Sequence, residues 1–346
     1  MKGKIFPYNL AFKKPAGTSR GVLREKLVYY LLLQDEQGKS GIGECAVFPG
    51  LSAEYGPDFE MHLNRSMEDW NSGNFEMKDW KAFSSIMMAW ETALNDLASP
   101  LPFRIFNSSF CDGKEIPING LIWMDSQEIM RQQIKEKLAQ GFSCIKMKIG
   151  AIHWEEEHEL LQGIRSEFSA DEVEIRVDAN GAFNPGNVMK LMDQLAALKI
   201  HSIEQPIKQG QLEAMRKICA ASPVPIALDE ELIGVNDALE KARLLDLINP
   251  PYLILKPSLV GGFSGSDEWI ALAEERNIAW WATSALESNV GLNAISQWVS
   301  SKNNPLPQGL GTGALFTNNI PSPLEVSKGK LSYKKDVSWE IPFKYE

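Results

Sequence analysis

From residue 116 onward the chain alternates two hydrophobic patterns: short apolar runs that fit β-strands, and longer stretches whose apolar residues recur at helical spacing. Eight strand cores can be read in this way: IPINGLI (116–122), CIKMKI (144–149), EIRVDAN (174–180), HSIEQP (201–206), PIALDE (225–230), YLILKP (252–257), IAWWATS (278–284) and LPQGLGTG (306–313). Strands separated by helical patterns predict parallel βα units, so the pattern predicts an α/β fold, a (β/α)8-type barrel or modified TIM barrel. Before residue 110 the pattern is different. KLVYYLLL (26–33) and GKSGIGECA (38–46) read as a meander, and DFEMHLNRSMEDW (58–70) and SSIMMAWETALNDLAS (84–99) read as helices. Pro100 and Pro102 then break the pattern. The predicted organisation is an N-terminal α+β capping domain at 1–110 and a catalytic barrel at 111–319. An extended tail at 320–346 is predicted to pack back on the first domain.

The charged positions sharpen this reading. In CIKMKI the side chains alternate across the strand, so Lys146 and Lys148 leave from one face. Two adjacent ammonium groups need water or a cluster of negative charge beside them. Later strands supply such a cluster, since IRVDAN ends in Asp178, SIEQP in Glu204, IALDE in Asp229 and LILKP in Lys256. The steps from Lys146 are 32, 26, 25 and 27 residues, each close to one βα unit. Consecutive strands thus deliver charges to the C-terminal rim, where barrels of this kind carry their active sites. Taken singly, a Lys-x-Lys is an ordinary solvated face and an Asp at a strand end commonly caps the next helix; the joint spacing tips the balance. Three convergent carboxylates require a cation, and hard oxygen donors with open positions suit Mg2+ or Mn2+. Burial and cationic neighbours are expected to depress the lysine pair toward a pKa useful for a base.

Composition narrows the partners. A formal net charge of −10 and a pI near 5.1 argue against nucleic acid, whereas a small anionic molecule can still bind a locally cationic pocket. No apolar run approaches the roughly 20 residues of a membrane span, and the start lacks a signal-peptide core, so the expected location is cytoplasmic. Four cysteines without a CxxC pair suggest buried reduced thiols. HWEEEH lacks the HExxH register, GIGECA lacks the third glycine of a dinucleotide fingerprint, and Trp280 and Trp281 read as core. Oligomeric state is not readable.

KMK (146–148), VDAN (177–180), IEQP (203–206), LDE (228–230), LKP (255–257), TSALES (283–288) and GLGTG (309–313) together resemble the enolase superfamily, in its muconate-lactonising-enzyme-like branch. TSRGVLREKL and GECAVFPGLS point further, to the o-succinylbenzoate synthases of menaquinone biosynthesis. The resemblance implies a capping domain whose loops near 17–24 and 45–55 close over the barrel mouth. It implies that Asp178, Glu204 and Asp229 bind Mg2+, that Lys148 is the base assisted by Lys146, and that Lys256 faces it across the substrate. The implied reaction is syn dehydration of 2-succinyl-6-hydroxy-2,4-cyclohexadiene-1-carboxylate. Thr283, Ser284, Gly311, Thr312 and the neighbouring Gly313 are candidate substrate contacts, and Ser19 and Arg20 candidates for the distal succinyl carboxylate. The alternatives on this scaffold are an N-acylamino acid racemase or a dipeptide epimerase. Against dipeptides stands Gly-Thr-Gly at 311–313, where such epimerases carry Asp-x-Asp. A Schiff-base aldolase and a non-catalytic binding protein are more distant readings.

Overall fold

A computed structural model describes residues 1–18 and 21–344. Strands β1 (Lys2–Thr18), β2 (Gly21–Gln34) and β3 (Ser40–Cys45) form an antiparallel sheet in that order, covered by helices α1 (Phe59–Ser72) and α2 (Ser84–Ala98). The sequence pattern missed β1 because its lysines and prolines blur the alternation. As an edge strand it tolerates Pro7, and its register with β2 is interrupted between Ala11 and Ala16. The glycines of GIGECA serve packing: a Cβ on Gly43 would stand 1.9 Å from the carbonyl oxygen of Ala89, so α2 lies directly on β3.

The expected strand 116–122 splits in two. Strand β4 (Ile116–Pro117) turns away from the barrel, and β5 (Gly120–Ile122) begins it. Then follow α3 (Gln127–Ala139), β6 (Cys144–Lys148), α4 (Trp154–Glu167), β7 (Glu174–Asp178), α5 (Val188–Ala197), β8 (Ser202–Glu204) and α6 (Leu212–Ala221). The series ends with β9 (Ile226–Leu228), α7 (Ala238–Ile248), β10 (Tyr252–Leu255), α8 (Gly262–Glu274), β11 (Ala279–Ala282) and α9 (Asn289–Lys302). Strands β5 to β11 form one parallel sheet in chain order, the arrangement of a modified TIM barrel.

The predicted eighth strand is reduced to a two-residue seam. The Gln308 N–H donates to Pro117 O (2.8 Å) and its carbonyl accepts from Asn119 N–H (3.0 Å), while Gly309 N–H donates to Ala282 O (2.8 Å) and its carbonyl accepts from Ser284 N–H (3.1 Å). Glycine is required there, because a Cβ on Gly309 would meet the Thr283 hydroxyl at 2.5 Å. Three glycines in LPQGLGTG leave little side chain to hold a longer strand.

The tail divides as well. Strands β12 (Leu324–Ser327) and β13 (Lys330–Tyr333) pair with β4, while Trp339 stacks on Phe103 (4.3 Å between centroids) and Phe343 packs among Phe6, Tyr8 and Tyr30 of the first sheet. Among the described residues no helix is long and apolar enough to cross a membrane.

Candidate active site

Because each strand of the parallel sheet pairs with its neighbour in near register, the strand ends form one rim: Lys148 pairs with Asp178, and Asp178 with Glu204. A cavity opens there, lined by Lys146, Lys148, Asp178, Glu230 and Lys256, with Thr283, Ser284, Gly311 and Thr312 on the wall formed by the end of β11 and the eighth segment. Phe48 and Leu51, from the first domain's loop after β3, form its apolar cover. Gly313 starts a short turn behind this wall and is not among the lining residues. Ser19 and Arg20 lie outside the described residues.

Lysines stand between the carboxylates. Lys146 Nζ lies 2.5 Å from Glu204 Oε2 and 2.9 Å from Asp178 Oδ2, and Lys148 Nζ lies 3.0 Å from the same Asp178 oxygen. Lys256 bonds Asp229 Oδ2 and stands 3.8 Å from Glu204 Oε1. Burial, the largest single influence on Lys146, would lower its pKa; Asp178, Glu204 and Asp229 outweigh it and hold the ammonium above the ordinary lysine value. The expected depression is therefore not seen for Lys146: four acids, including Glu230, crowd three lysines, and the surplus negative charge retains protons. Burial acts against the ammonium of Lys256 too, but Asp229 and Glu204 raise it on balance. The acids diverge. Burial raises Asp178 less than Lys146, Lys148 and Lys256 lower it, and it falls far below the usual carboxylate range. Asp229 is pushed well above that range by burial, with Glu230, Glu204 and Asp178 adding to the rise and Lys256 opposing it.

As the side chains stand, no three His, Cys, Asp or Glu groups among the described residues surround a common point as a metal cage would. The donor set nevertheless fits a hard divalent cation. Asp178, Glu204 and Asp229 end three consecutive strands, and Glu204 Oε1 is buried without a hydrogen-bond partner.

Sequence reasoning passed over several neighbours. Asn180 accepts from Lys148 Nζ (2.6 Å) and donates to Glu230 Oε1 (3.0 Å). The Gln205 side-chain carbonyl accepts from the N–H groups of Asp229 (3.3 Å) and Glu231 (3.2 Å). Both sit in left-handed backbone, at φ 44° and 39°, within two residues of a site carboxylate. Asn before Gly in DANG is the signal for Asn180 that the sequence offers. A second set surrounds the TSALES segment: within the barrel Glu287 accepts from Ser258 (2.5 Å) and Ser284 (2.6 Å), and from the first domain Lys26 donates to Ala285 O and Leu286 O and Glu44 accepts from Ser288 N–H (2.7 Å), Ser288 Oγ (2.5 Å) and Gly291 N–H (2.8 Å). These bonds fix the TSALES segment against the first domain.

The family model described as Enolase C-terminal domain-like matches residues 129–336. An o-succinylbenzoate synthase of Desulfotalea psychrophila is 45% identical, with 93% of this chain and 96% of that protein aligned. An o-succinylbenzoate synthase of Thermosynechococcus vestitus is 26% identical over 73% of this chain and 75% of its own length. Among solved structures, MenC from Desulfotalea psychrophila superposes with a TM-score of 0.85 at 40% identity, covering 96% of this chain and 99% of that one. The L-Ala-D/L-Glu epimerase of Bacillus subtilis shares the fold, with a TM-score of 0.82 at 20% identity over 96% of each chain.

Proposed function

Because the chain belongs to the enolase superfamily, we propose that it is an o-succinylbenzoate synthase, a hydro-lyase converting 2-succinyl-6-hydroxy-2,4-cyclohexadiene-1-carboxylate to 2-succinylbenzoate in the cytoplasmic synthesis of menaquinone. One observation carries the reading: a single cavity is lined by Lys148 on the second barrel strand and by Lys256 directly after the sixth, with Asp178 between them in chain order, Glu204 paired with Lys146 and Asp229 with Lys256.

Lys148 is the base in this reading. It removes the proton α to the ring carboxylate and returns it to the departing hydroxyl on the same face, which makes the dehydration syn. Asp178 and Asn180 aim its amino group at the cavity. Lys146, held by Asp178 and Glu204, keeps its proton and orients the carboxylates. Lys256 stays cationic and offsets charge that spreads into the developing ring. Asp178, Glu204 and Asp229 would hold Mg2+, or Mn2+ in its place, and the bound ion would supply positive charge to the carboxylate whose α-proton is lost. Thr283, Ser284, Gly311 and Thr312 shape the wall against which the substrate lies.

The test is product formation from the cyclohexadiene substrate by purified protein. Turnover is expected with Mg2+ or Mn2+ and should fall by about 100-fold or more after chelation and dialysis, returning when the ion is restored. Full turnover by metal-depleted protein would remove the ion from the reaction. No turnover with either ion would remove the synthase assignment.

A further inference from the structure

The cavity has a second cationic feature that the reaction chemistry leaves unused. Lys137 belongs to α3, outside the strand-end register, yet it lines the same cavity as Lys148. The lining it shares includes apolar Leu121, Trp123 and Phe142. Its Nζ lies 5.0 Å from the centroid of the Phe142 ring, and among the described residues no carboxylate is hydrogen-bonded or ion-paired to it. A half-buried ammonium with an aromatic face as its main partner is costly to desolvate and gains when an anion enters beside it. Burial lowers its pKa, with Glu136 alone acting in the other direction. A second gap belongs to the same cavity: the buried Thr283 hydroxyl oxygen has no hydrogen-bond partner, although Thr283 lines the cavity. Together they leave two polar groups of the cavity lining outside the lysine and carboxylate cluster, an ammonium and a hydroxyl, without an anion to satisfy them.

We infer that Lys137 holds the distal, succinyl carboxylate of the substrate, with the Thr283 hydroxyl donating to an oxygen of the same side chain; this rests on the dicarboxylate substrate proposed above. The ring carboxylate goes to the reacting cluster. The tail carboxylate needs a cation of its own, and among the described residues lining the cavity Lys137 is the one lysine outside that cluster. Lys137 is then a specificity-determining contact and not a proton carrier. The assignment competes with the sequence expectation that gave this carboxylate to Ser19 and Arg20.

The test pairs the protein with two ligands in Mg2+ buffer: 2-succinylbenzoate, and 2-butanoylbenzoate, which lacks the tail carboxylate. Lys137→Met keeps the length and apolar contacts of the stem. It is expected to weaken 2-succinylbenzoate binding about tenfold or more, to leave 2-butanoylbenzoate within about twofold, and to raise KM for dehydration with kcat little changed. Lys137→Arg should recover most of the affinity. Equal affinity of wild type and Lys137→Met for 2-succinylbenzoate, or equal losses for both ligands, overturns the inference. So does a loss that follows Arg20→Gln alone. If Lys137-dependent binding is seen but wild type does not dehydrate, the inference stands and the reaction is wrong. If wild type dehydrates and Lys137→Met leaves KM unchanged, the reaction stands and the inference falls. Failure of wild type to bind either ligand overturns both.

Discussion

The barrel interior buries charge at both ends, and the same strands supply it. Along β6 the inward positions are Cys144 at the base and Lys146 and Lys148 toward the mouth; along β7 they are Glu174 and Arg176 at the base and Asp178 at the mouth. At the base the buried cation is held by short contacts. The Arg176 Nε donates to Glu174 (2.6 Å), Nη1 donates to Pro307 O (2.8 Å), and the guanidinium lies 4.0 Å from the centroid of the Trp281 ring. Cys144 Sγ donates to the same Glu174 oxygen (3.3 Å). Arg176 Nη2 is buried without a hydrogen-bond partner, so this end keeps a deficit of its own, but on a planar cation that cannot lose its proton and is not among the residues lining the cavity. At the mouth the cations are lysines, the acids outnumber them, and one carboxylate oxygen of Glu204 has no hydrogen-bond partner, with Lys256 Nζ 3.8 Å away. Burial of charge is common to both ends. What separates them is the kind of cation and the cavity beside it: lysines line the cavity at the mouth, and the guanidinium at the base is not among its lining residues.

The largest effect should come from breaking the mouth. Lys148→Ala removes the group that must take and return a proton, and kcat is expected to fall by about 10^3-fold or more with the fold intact by circular dichroism. Lys256→Arg keeps the cation and should cost less, roughly 10- to 100-fold, since the guanidinium is bulkier but still charged. Racemisation of an N-acylamino acid, if wild type supports it, requires proton transfer on both faces and should vanish in both variants. The reverse ranking, with Lys148→Ala active and Lys256→Arg dead, would place the base on the other side of the barrel.

The base should respond in the opposite way. Arg176→Met removes a buried cation whose partners include the partly exposed Glu174 and a backbone carbonyl, and is expected to cost about 1–3 kcal/mol in urea unfolding. The kcat of the folded fraction should stay within about threefold of wild type, because Arg176 is not among the residues lining the cavity. A loss of turnover without a loss of stability would mean that the two ends are coupled.

The contrast between the two ends explains what the sequence could convey. The strand-end charges were legible because one βα unit has a narrow length range, so Lys146, Asp178, Glu204, Asp229 and Lys256 announced a shared rim. Lys146, Asp178 and Lys256 line the cavity, while Glu204 and Asp229 lie behind it, bonded to Lys146 and Lys256; their roles belong to the proposed function. Arg176 lies two residues from Asp178 on the same face, and nothing in EIRVD says which of the two meets substrate. That depends on depth in the barrel, which the strand boundaries set. Lys137 was invisible for another reason, since a lysine near the end of an amphipathic helix reads as solvated surface until β5 and Phe142 are placed against it. Strand β1 was hidden by Pro7 and its lysines, and the eighth strand was overstated because apolar LPQGL contributes one seam of bonds and no ladder. The raised ammonium of Lys146 reflects acids from three other segments, a sum that spacing along the chain does not give.

The smallest expected effect also belongs to the base. His201 packs at a tilt against Tyr252 (5.0 Å between centroids), its Nδ1 lies 3.0 Å from Ser202 Oγ, and its Nε2 is 3.8 Å from Glu174. Burial lowers its pKa below the ordinary histidine value, Glu174 opposes the shift and Arg176 adds to it. A histidine depressed in the folded state takes up its proton more readily when unfolded. Below the unfolded pKa of about 6.5 the unfolded chain therefore binds more protons at this position, and stability falls as pH drops through that value. Above it the contribution is flat. In His201→Gln, which keeps a polar side chain beside Ser202, the decline in urea midpoint between pH 6.5 and 5 should be shallower than in wild type, while the midpoint at pH 8 changes little. Dehydration should be indifferent to the substitution at every pH. An identical pH slope in the two proteins would show that His201 titrates alike in the folded and unfolded states. The base would then be no tighter around its histidine than solvent is.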